Sequence, residues 1–213
     1  MHWKKIPDAV IRRLPIYLRV LEEASRENQK LISSQALGER AGVAPALVRK
    51  DLAWFGEFGK QGVGYQVNYL INELCSIMNL DRKVCVGLVG VGSLGYALAR
   101  YHRARALREP SFRTHLVALF DNDPVKWGQM VDDLEIWPFD IIKDKVKEMN
   151  LEVIIMTVPA EHAQSVADRV AEAGIKAVLN FAPTKLNVPS DVQVADADVS
   201  LELQRLAYYL KSN

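Results

Sequence analysis

Cysteine is almost absent from this chain of 213 residues: Cys75 and Cys85 are the only two. They form no C-x-x-C pair, and no histidine neighbours either to complete a metal set. Two thiols cannot build a disulfide scaffold, and a reducing compartment disfavours a bond between them. Both read as small buried hydrophobes, not as a redox pair. Long apolar runs are also missing, and nothing approaches the roughly 18 residues of a membrane helix. The opening MHWKKIPDAVIRRLP lacks the apolar core and cleavage site of a secretory leader. A cytoplasmic location is therefore expected. Net charge is small, +1 at pH 7, but unevenly spread. Residues 1–80 carry 11 Lys+Arg against 8 Asp+Glu, and residues 81–213 carry 16 against 18. This permits nucleic-acid binding by the first part without requiring it. Hydrophobic residues at 49% and charged residues at 25% are ordinary for a globular protein, and the length suits two compact domains.

The chain changes character near Asn79-Leu80-Asp81-Arg82-Lys83. Before it the pattern is helical. Val10, Ile11, Leu14, Tyr17, Leu18 and Leu21 recur at helical spacing and predict one buried face, with Pro15 kinking the run or marking a boundary. Ser33 or Ser34 caps a helix over Gln35–Arg40 that Gly42 closes. Ala44-Pro45 opens another, running to about Phe55, with Trp54 and Phe55 read as core. A further helix covers about Asn68–Met78. After the boundary, short β-branched runs alternate with helices, which predicts βαβ units on a parallel sheet. The strands are Lys83–Val89, Leu116–Phe120 ending on Asp121, Val153–Val158, Ala177–Phe181 and Val192–Val194. A helix covers Ala163–Ala173, and Val199–Lys211 forms a last one. The expected domains are 1–80, 81–196 and a C-terminal helix, 197–213.

Gly90-Val91-Gly92-Ser93-Leu94-Gly95 lies between an apolar strand and a helix. Gly90 permits the tight turn, Gly92 lets the backbone approach a pyrophosphate, and Gly95 lets the helix pack closely. The phosphates then meet the free N–H groups of a helix N-terminus. Asp121, 26 residues past Gly95, is placed to bond a ribose 2′-hydroxyl. No Arg or Lys follows at once, only Asn122 and Asp123, so NAD(H) is favoured over NADP(H). Thr157-Val158-Pro159 and Asn180-Phe181-Ala182-Pro183 end later strands and line the same crevice, since ligands sit beyond the carboxyl ends of parallel strands. Pro159 and Pro183 serve equally well as simple strand terminators.

A dehydrogenase also needs a proton donor or acceptor beside the nicotinamide. Of His2, His102, His115 and His162, the last follows Pro159 and is within reach of a cofactor, though a lone histidine near a helix start is commonly a surface residue. No Ser-x-x-x-Tyr-x-x-x-Lys or cysteine-nucleophile arrangement is present, and the C-terminal part leaves no room for a substrate domain. The chain is not expected to be an enzyme or to hold a metal.

The run from Leu37 to Leu52 has the grammar of a helix-turn-helix: Gly38 at the crossing, Gly42 at the turn, and Val43, Val48 and Leu52 fastening the second helix. Such a helix enters the major groove, where Arg49 can read guanine and Lys50 a base or phosphate. A plain helical bundle with Arg49 and Lys50 on a solvated face remains the alternative. Phe58 to Tyr65 reads as a two-stranded wing with Lys60 at its tip. The DNA-facing set is Ser34, Ala46, Arg49, Lys50, Lys60, Gly62 and Tyr65.

Val48-Arg49-Lys50-Asp51-Leu52-Ala53-Trp54-Phe55-Gly56-Glu57-Phe58-Gly59-Lys60-Gln61-Gly62-Val63-Gly64-Tyr65 resembles the recognition helix and wing of the Rex family of bacterial redox-sensing repressors. The similarity continues through Gly90–Gly95 and Leu179-Asn180-Phe181-Ala182-Pro183 into the last helix. The resemblance implies a winged helix-turn-helix followed by a Rossmann-like parallel sheet and a C-terminal helix exchanged between two subunits. It implies a homodimer on palindromic operator DNA, released by NADH, with NAD+ competing for the same pocket. It also implies a coupling network at Arg19, Tyr101 and Asp198. The position after the aspartate, often aromatic in the family and near the partner's nicotinamide, is Val199 here. The competing readings are a small NAD-dependent oxidoreductase with a fused helical arm, and a CoA-binding protein of related topology.

Overall fold

The computed structural model describes residues 6–60, 62–109 and 112–211; His2 and Gln61 lie outside them. Two compact units meet at Arg82/Lys83.

In the first unit the helical run of residues 8–26 is broken. α1 (Asp8–Ile11) ends at Arg12, and α2 (Leu14–Arg26) restarts with Pro15 in its first turn, where a missing N–H costs nothing. The break rotates the apolar stripe, so Tyr17, Leu18 and Leu21 are buried while Ile11, expected inside, is exposed. β1 (Leu31–Ile32) follows. α3 (Ser34–Ala41) starts where the Ser33 hydroxyl accepts the Ala36 N–H and stops at Gly42, whose φ of 70° ends the helix. α4 (Pro45–Leu52) is shorter than the sequence suggests. Residues 53–55 leave the helix as a turn, which leaves Trp54 partly exposed and Phe55 packed against the core. β2 (Gly59–Lys60) and β3 (Gly64–Gln66) form the expected antiparallel hairpin, and β1 pairs with β3 on its other side, a strand that no sequence signal announced. α5 (Val67–Ile77) closes the unit.

The second unit begins with β4 (Val84–Val89), α6 (Ser93–Arg108) and β5 (Thr114–Asp121). Next come β6 (Met130–Val131), β7 (Leu134–Pro138) and α7 (Ile142–Glu148), none of which the sequence reading foresaw. β8 (Leu151–Met156), α8 (Ala160–Glu172), β9 (Ala177–Asn180), β10 (Gln193–Asp196) and α9 (Val199–Tyr208) complete it. The strand order is β10-β9-β8-β4-β5-β7-β6, parallel throughout except for β6. Apart from β6 this is the doubly wound order, with the strand sequence reversing between β4 and β8. Alternate residues feed two cores. Val86, Leu88 and Ile155 pack with Ala99 of α6; Ile154, Met156 and Phe120 pack with Ala163, Val166 and Val170 of α8 and Val146 of α7.

No helix among the described residues is long and apolar enough to cross a membrane. Cys75 and Cys85 form no disulfide among the described residues.

Candidate functional site

The crevice of the second unit opens at the carboxyl ends of β4, β5 and β8, the reversal point of the sheet. It encloses about 490 Å³ and is lined by Gly90, Gly92, Asp121, Lys126, Thr157, Val158, Pro159 and His162, among others. Gly90 has φ of 96°, and a Cβ there would press on the Thr157 carbonyl. A Cβ on Gly95 would overlap the Gly90 carbonyl oxygen, so the glycine allows α6 to start directly beneath the turn. A Cβ on Gly92 would meet nothing within 4 Å. That open space, at the N-terminus of a 16-residue helix without a side-chain cap, suits a pyrophosphate. The Thr157 hydroxyl donates to the Gly90 carbonyl at 2.6 Å and holds the turn against β8.

Asp121 does more than the sequence suggested. Its carboxylate accepts the Val91 N–H at 2.7 Å, the Asp123 N–H at 2.9 Å and the Lys126 ammonium at 2.9 Å. An ionised carboxylate has roughly four acceptor positions, so about one is left for a ribose hydroxyl. Burial alone would push this carboxyl up, but the two backbone donors and Lys126 hold it below the ordinary value. The pairing corrects the charge argument against a 2′-phosphate. A cation does reach the acid, five residues on, and the strand end is charge-balanced rather than negative.

Asn180 is also placed differently from expectation. It is fully buried; its amide donates to the Ala182 and Thr184 carbonyls and to Asp196, and its oxygen accepts the Ala182 N–H. The side chain shapes the 181–184 turn, and its amide N–H groups are committed within the protein. Ala182 is buried and Phe181 half-buried against the α6 core.

On the first unit, α3 and α4 cross at Gly38, where a Cβ would strike the Val43 carbonyl oxygen at 2.6 Å. Val48 and Leu52 face inward while Ala46, Arg49 and Lys50 are exposed. Arg49 donates to the Ser34 hydroxyl at 2.8 Å, which joins two of the predicted residues. Ser34, Arg49, Lys60, Gly62 and Tyr65 line one groove between α4 and the hairpin. Lys60 ends β2 rather than occupying the tip, and its carbonyl accepts the Val63 N–H at 3.1 Å where the hairpin turns. Tyr65 is 8% exposed and belongs to the core, so it forms the groove's floor.

Sequence reasoning passed over Asp51, which is 1% exposed. Arg13 grips it through two nitrogens at 2.6 and 2.8 Å, and the Tyr17 hydroxyl donates to it at 2.7 Å. Burial raises this carboxyl, but the Arg13 and Tyr17 hydrogen bonds outweigh that and hold it low; Tyr17 itself is pushed up by burial and by Asp51. The triad ties α4 to the start of α2. The signal was there: Asp51 follows Val48 by three and sits beside Leu52, on the helix face that must be buried, where an acid requires a partner.

Of the proposed coupling residues, Arg19 belongs to the first unit and Tyr101 and Asp198 to the second. Arg19 and Tyr101 are exposed. Asp198 caps α9, accepting the Ser200 N–H at 2.8 Å. Val199 is exposed at the head of that helix. No cluster of His, Cys, Asp and Glu among the described residues could hold a metal ion.

Residues 5–53 match a family model described as "Putative DNA-binding protein N-terminus", and residues 81–184 match one described as a CoA binding domain. A redox-sensing transcriptional repressor Rex of Brevibacillus brevis is 44% identical, covering 97% of this chain and 98% of its own. A Rex of Chloroflexus aggregans is 48% identical, covering 96% and 94%. Among solved structures, RSP in complex with NAD+ and operator DNA has a TM-score of 0.87 at 38% identity, covering 96% of this chain and 92% of that one. RSP in complex with NADH has 0.83 at 36%, covering 97% and 95%. With a wing beside an exposed basic helix, a dinucleotide turn at the sheet's reversal point, and this identity over nearly the whole length, the chain belongs to the Rex family of redox-sensing transcriptional repressors.

Proposed function

We propose that the chain binds a palindromic operator through its first unit and leaves it when NADH occupies the second. The observation that carries this is the pairing, in one chain of this family, of an exposed α4 with a dinucleotide crevice. RSP, a family member, has been crystallised with operator DNA and NAD+ and, separately, with NADH. The curated relatives are repressors, so the oxidoreductase alternative is set aside.

On this reading α4 enters the major groove. Arg49, steadied by Ser34, reads a base; Lys50 meets a base or phosphate; Ala46 leaves room for close approach; Lys60 and Gly62 bring the wing to the backbone. In the crevice, Gly90, Val91, Gly92, Ser93, Leu94 and Gly95 cradle the pyrophosphate, and the last acceptor position of Asp121 takes a ribose hydroxyl. Thr157, Val158, Pro159, Phe181 and Ala182 flank the ligand, with Asn180 holding the second flank in shape. The redox state of the bound nicotinamide supplies the signal.

The working unit is a cytoplasmic homodimer, divided as 1–80, 81–196 and 197–213. What supports the dimer is α9, whose Val199, Leu201, Leu203 and Leu206 are all exposed in the single chain, an apolar surface that a second copy would cover. Exchange of this helix would carry Asp198 to the partner, into a polar network with Arg19 and Tyr101 whose charge pair forms in one dimer arrangement and breaks in the other.

The test is operator affinity without ligand, with NAD+ and with NADH. NADH should weaken binding by about 5- to 150-fold, the usual range of a coupling free energy. Equal affinity under all three conditions sinks the proposal.

A further inference from the structure

α4 is only eight residues long, and its N-cap, Ala44, supplies no side-chain hydrogen bond. Its inward face carries Val48 and Leu52, packed in the core of the first unit. Such contacts hold the helix down without fixing its rotation, because burial of apolar surface is non-directional. Asp51, on the same face, supplies the direction. Its Oδ2 accepts the Arg13 Nε–H at 2.6 Å and the Tyr17 hydroxyl at 2.7 Å, and its Oδ1 accepts from the Arg13 Nη2 at 2.8 Å. A two-nitrogen contact between ionised groups is both strong and geometrically specific. The base it grips is stiff. Arg13 is the N-cap of α2, its carbonyl accepts the Tyr17 N–H one turn on at 3.1 Å, and Tyr17 is fully buried. Asp51 lies two residues after Arg49, about 200° round the helix. The triad therefore holds α4 from behind, on the side away from the exposed Arg49. Among the described residues, the other side-chain hydrogen bond made by α4 is that of Arg49 to Ser34, which Arg49 must leave or share to meet a base.

We infer that the Arg13–Asp51–Tyr17 triad sets the rotation of α4 and so makes Arg49 and Lys50 selective for a base sequence. The inference rests on the reading of α4 as the helix that enters the major groove. It assigns to the triad a positioning role in recognition, beyond its part in stability. A rotation of about 10° moves a side-chain tip about 6 Å from the helix axis by about 1 Å, more than a hydrogen bond tolerates. Base edges are read through such bonds, whereas phosphate contacts carry no sequence information. A loosened triad thus lowers the preference for the operator and spares affinity for DNA in general.

Fluorescence anisotropy of the full-length protein on two duplexes tests this. One is selected by the wild type from a random pool, and the other is an unrelated duplex of equal length. Asp51→Asn keeps the size of the side chain and loses the charge, while Arg13→Lys keeps the charge and loses the fork. Each should reduce the preference for the selected duplex by roughly ten-fold, toward the low end for a lost base contact. Affinity for the unrelated duplex and its salt dependence, which report phosphate contacts, should stay at the wild-type values, and so should NADH binding by the second unit. Tyr17→Phe removes one of the hydrogen bonds to Asp51 and should fall between. Arg13 lies at the rim, with 22% of its side chain exposed, so Arg13→Lys carries the test where Asp51→Asn does not fold. A purely structural role weakens binding to both duplexes by the same factor, and that outcome overturns the inference, as does a wild-type preference retained in Arg13→Lys. If the wild type selects no duplex from the pool, the DNA reading of α4 fails, and this inference with it.

Discussion

Two single residues hold most of the local geometry. Gly95 is the first: because any Cβ there overlaps the Gly90 carbonyl oxygen, Gly95→Ala must push the glycine turn away from α6. The expected cost is about 1–3 kcal/mol of second-unit stability, with a larger proportional loss of NADH binding, read by thermal melting and fluorescence titration. Asp51 is the second. Asp51→Ala strands Arg13 and Tyr17 around a buried gap and should cost about 3 kcal/mol or more. Asp51→Asn keeps the shape but loses the charge against Arg13, and should fall between. If Asp51→Asn melts with the wild type, the charge of the triad contributes nothing. His102 offers a pH test. Its Nδ1 is buried without a partner, and burial, reinforced by His115, Arg105 and Arg103, lowers it from 6.5 to about 4. The unfolded chain therefore takes up this proton more readily than the folded one. The contribution is intact above about 6.5 and is lost as pH falls toward about 4. Replacing His102 with Gln should flatten the fall of melting temperature across that window.

Elements with strong local grammar were legible. Ser33 and Gly42 bracket α3, Pro45 opens α4, Gly174 follows α8 with φ of 102°, and the glycine turn opens α6. The stretch from Met130 to Glu148 was not. β6 has two residues and β7 five, including Trp137 and Pro138, and α7 has only seven. Such short pieces carry too few periods for an apolar pattern to register; they form because β5 offers its edge to β7. β1 escaped notice for the same reason, being only two residues docked on β3. The helix-turn-helix and dinucleotide turn could be read from residue types, whereas the partners of Asp51, Asp121 and Asn180 depend on long-range contacts or side-chain direction. At this scale the α4 proposal is tested by Arg49→Ala with Lys50→Ala. Loss of one base contact costs about 1–3 kcal/mol, so the pair should weaken operator binding by about 100-fold or more. NADH affinity should be unchanged, since both residues belong to the first unit. Loss of both activities together would show that the two units do not act separately.

For the whole molecule, the uncovered apolar residues of α9 make assembly the question. Ending the chain at Asp198 should shift sedimentation from dimer to monomer and weaken operator binding, because two half-sites then no longer meet a linked pair of heads. A truncated chain that still sediments as a dimer would place the interface elsewhere. The Asp121 cluster has a further consequence, for protein engineering. Dinucleotide preference in parallel-sheet proteins is commonly altered by replacing the acid after the second strand. Here that acid also holds the Val91 amide and the Lys126 ammonium. Its removal would release a cation toward an added phosphate and at the same time loosen the turn that carries the pyrophosphate. A redesigned sensor for the phosphorylated cofactor would therefore favour Asn at position 121, whose one amide oxygen can keep the Val91 N–H while freeing Lys126.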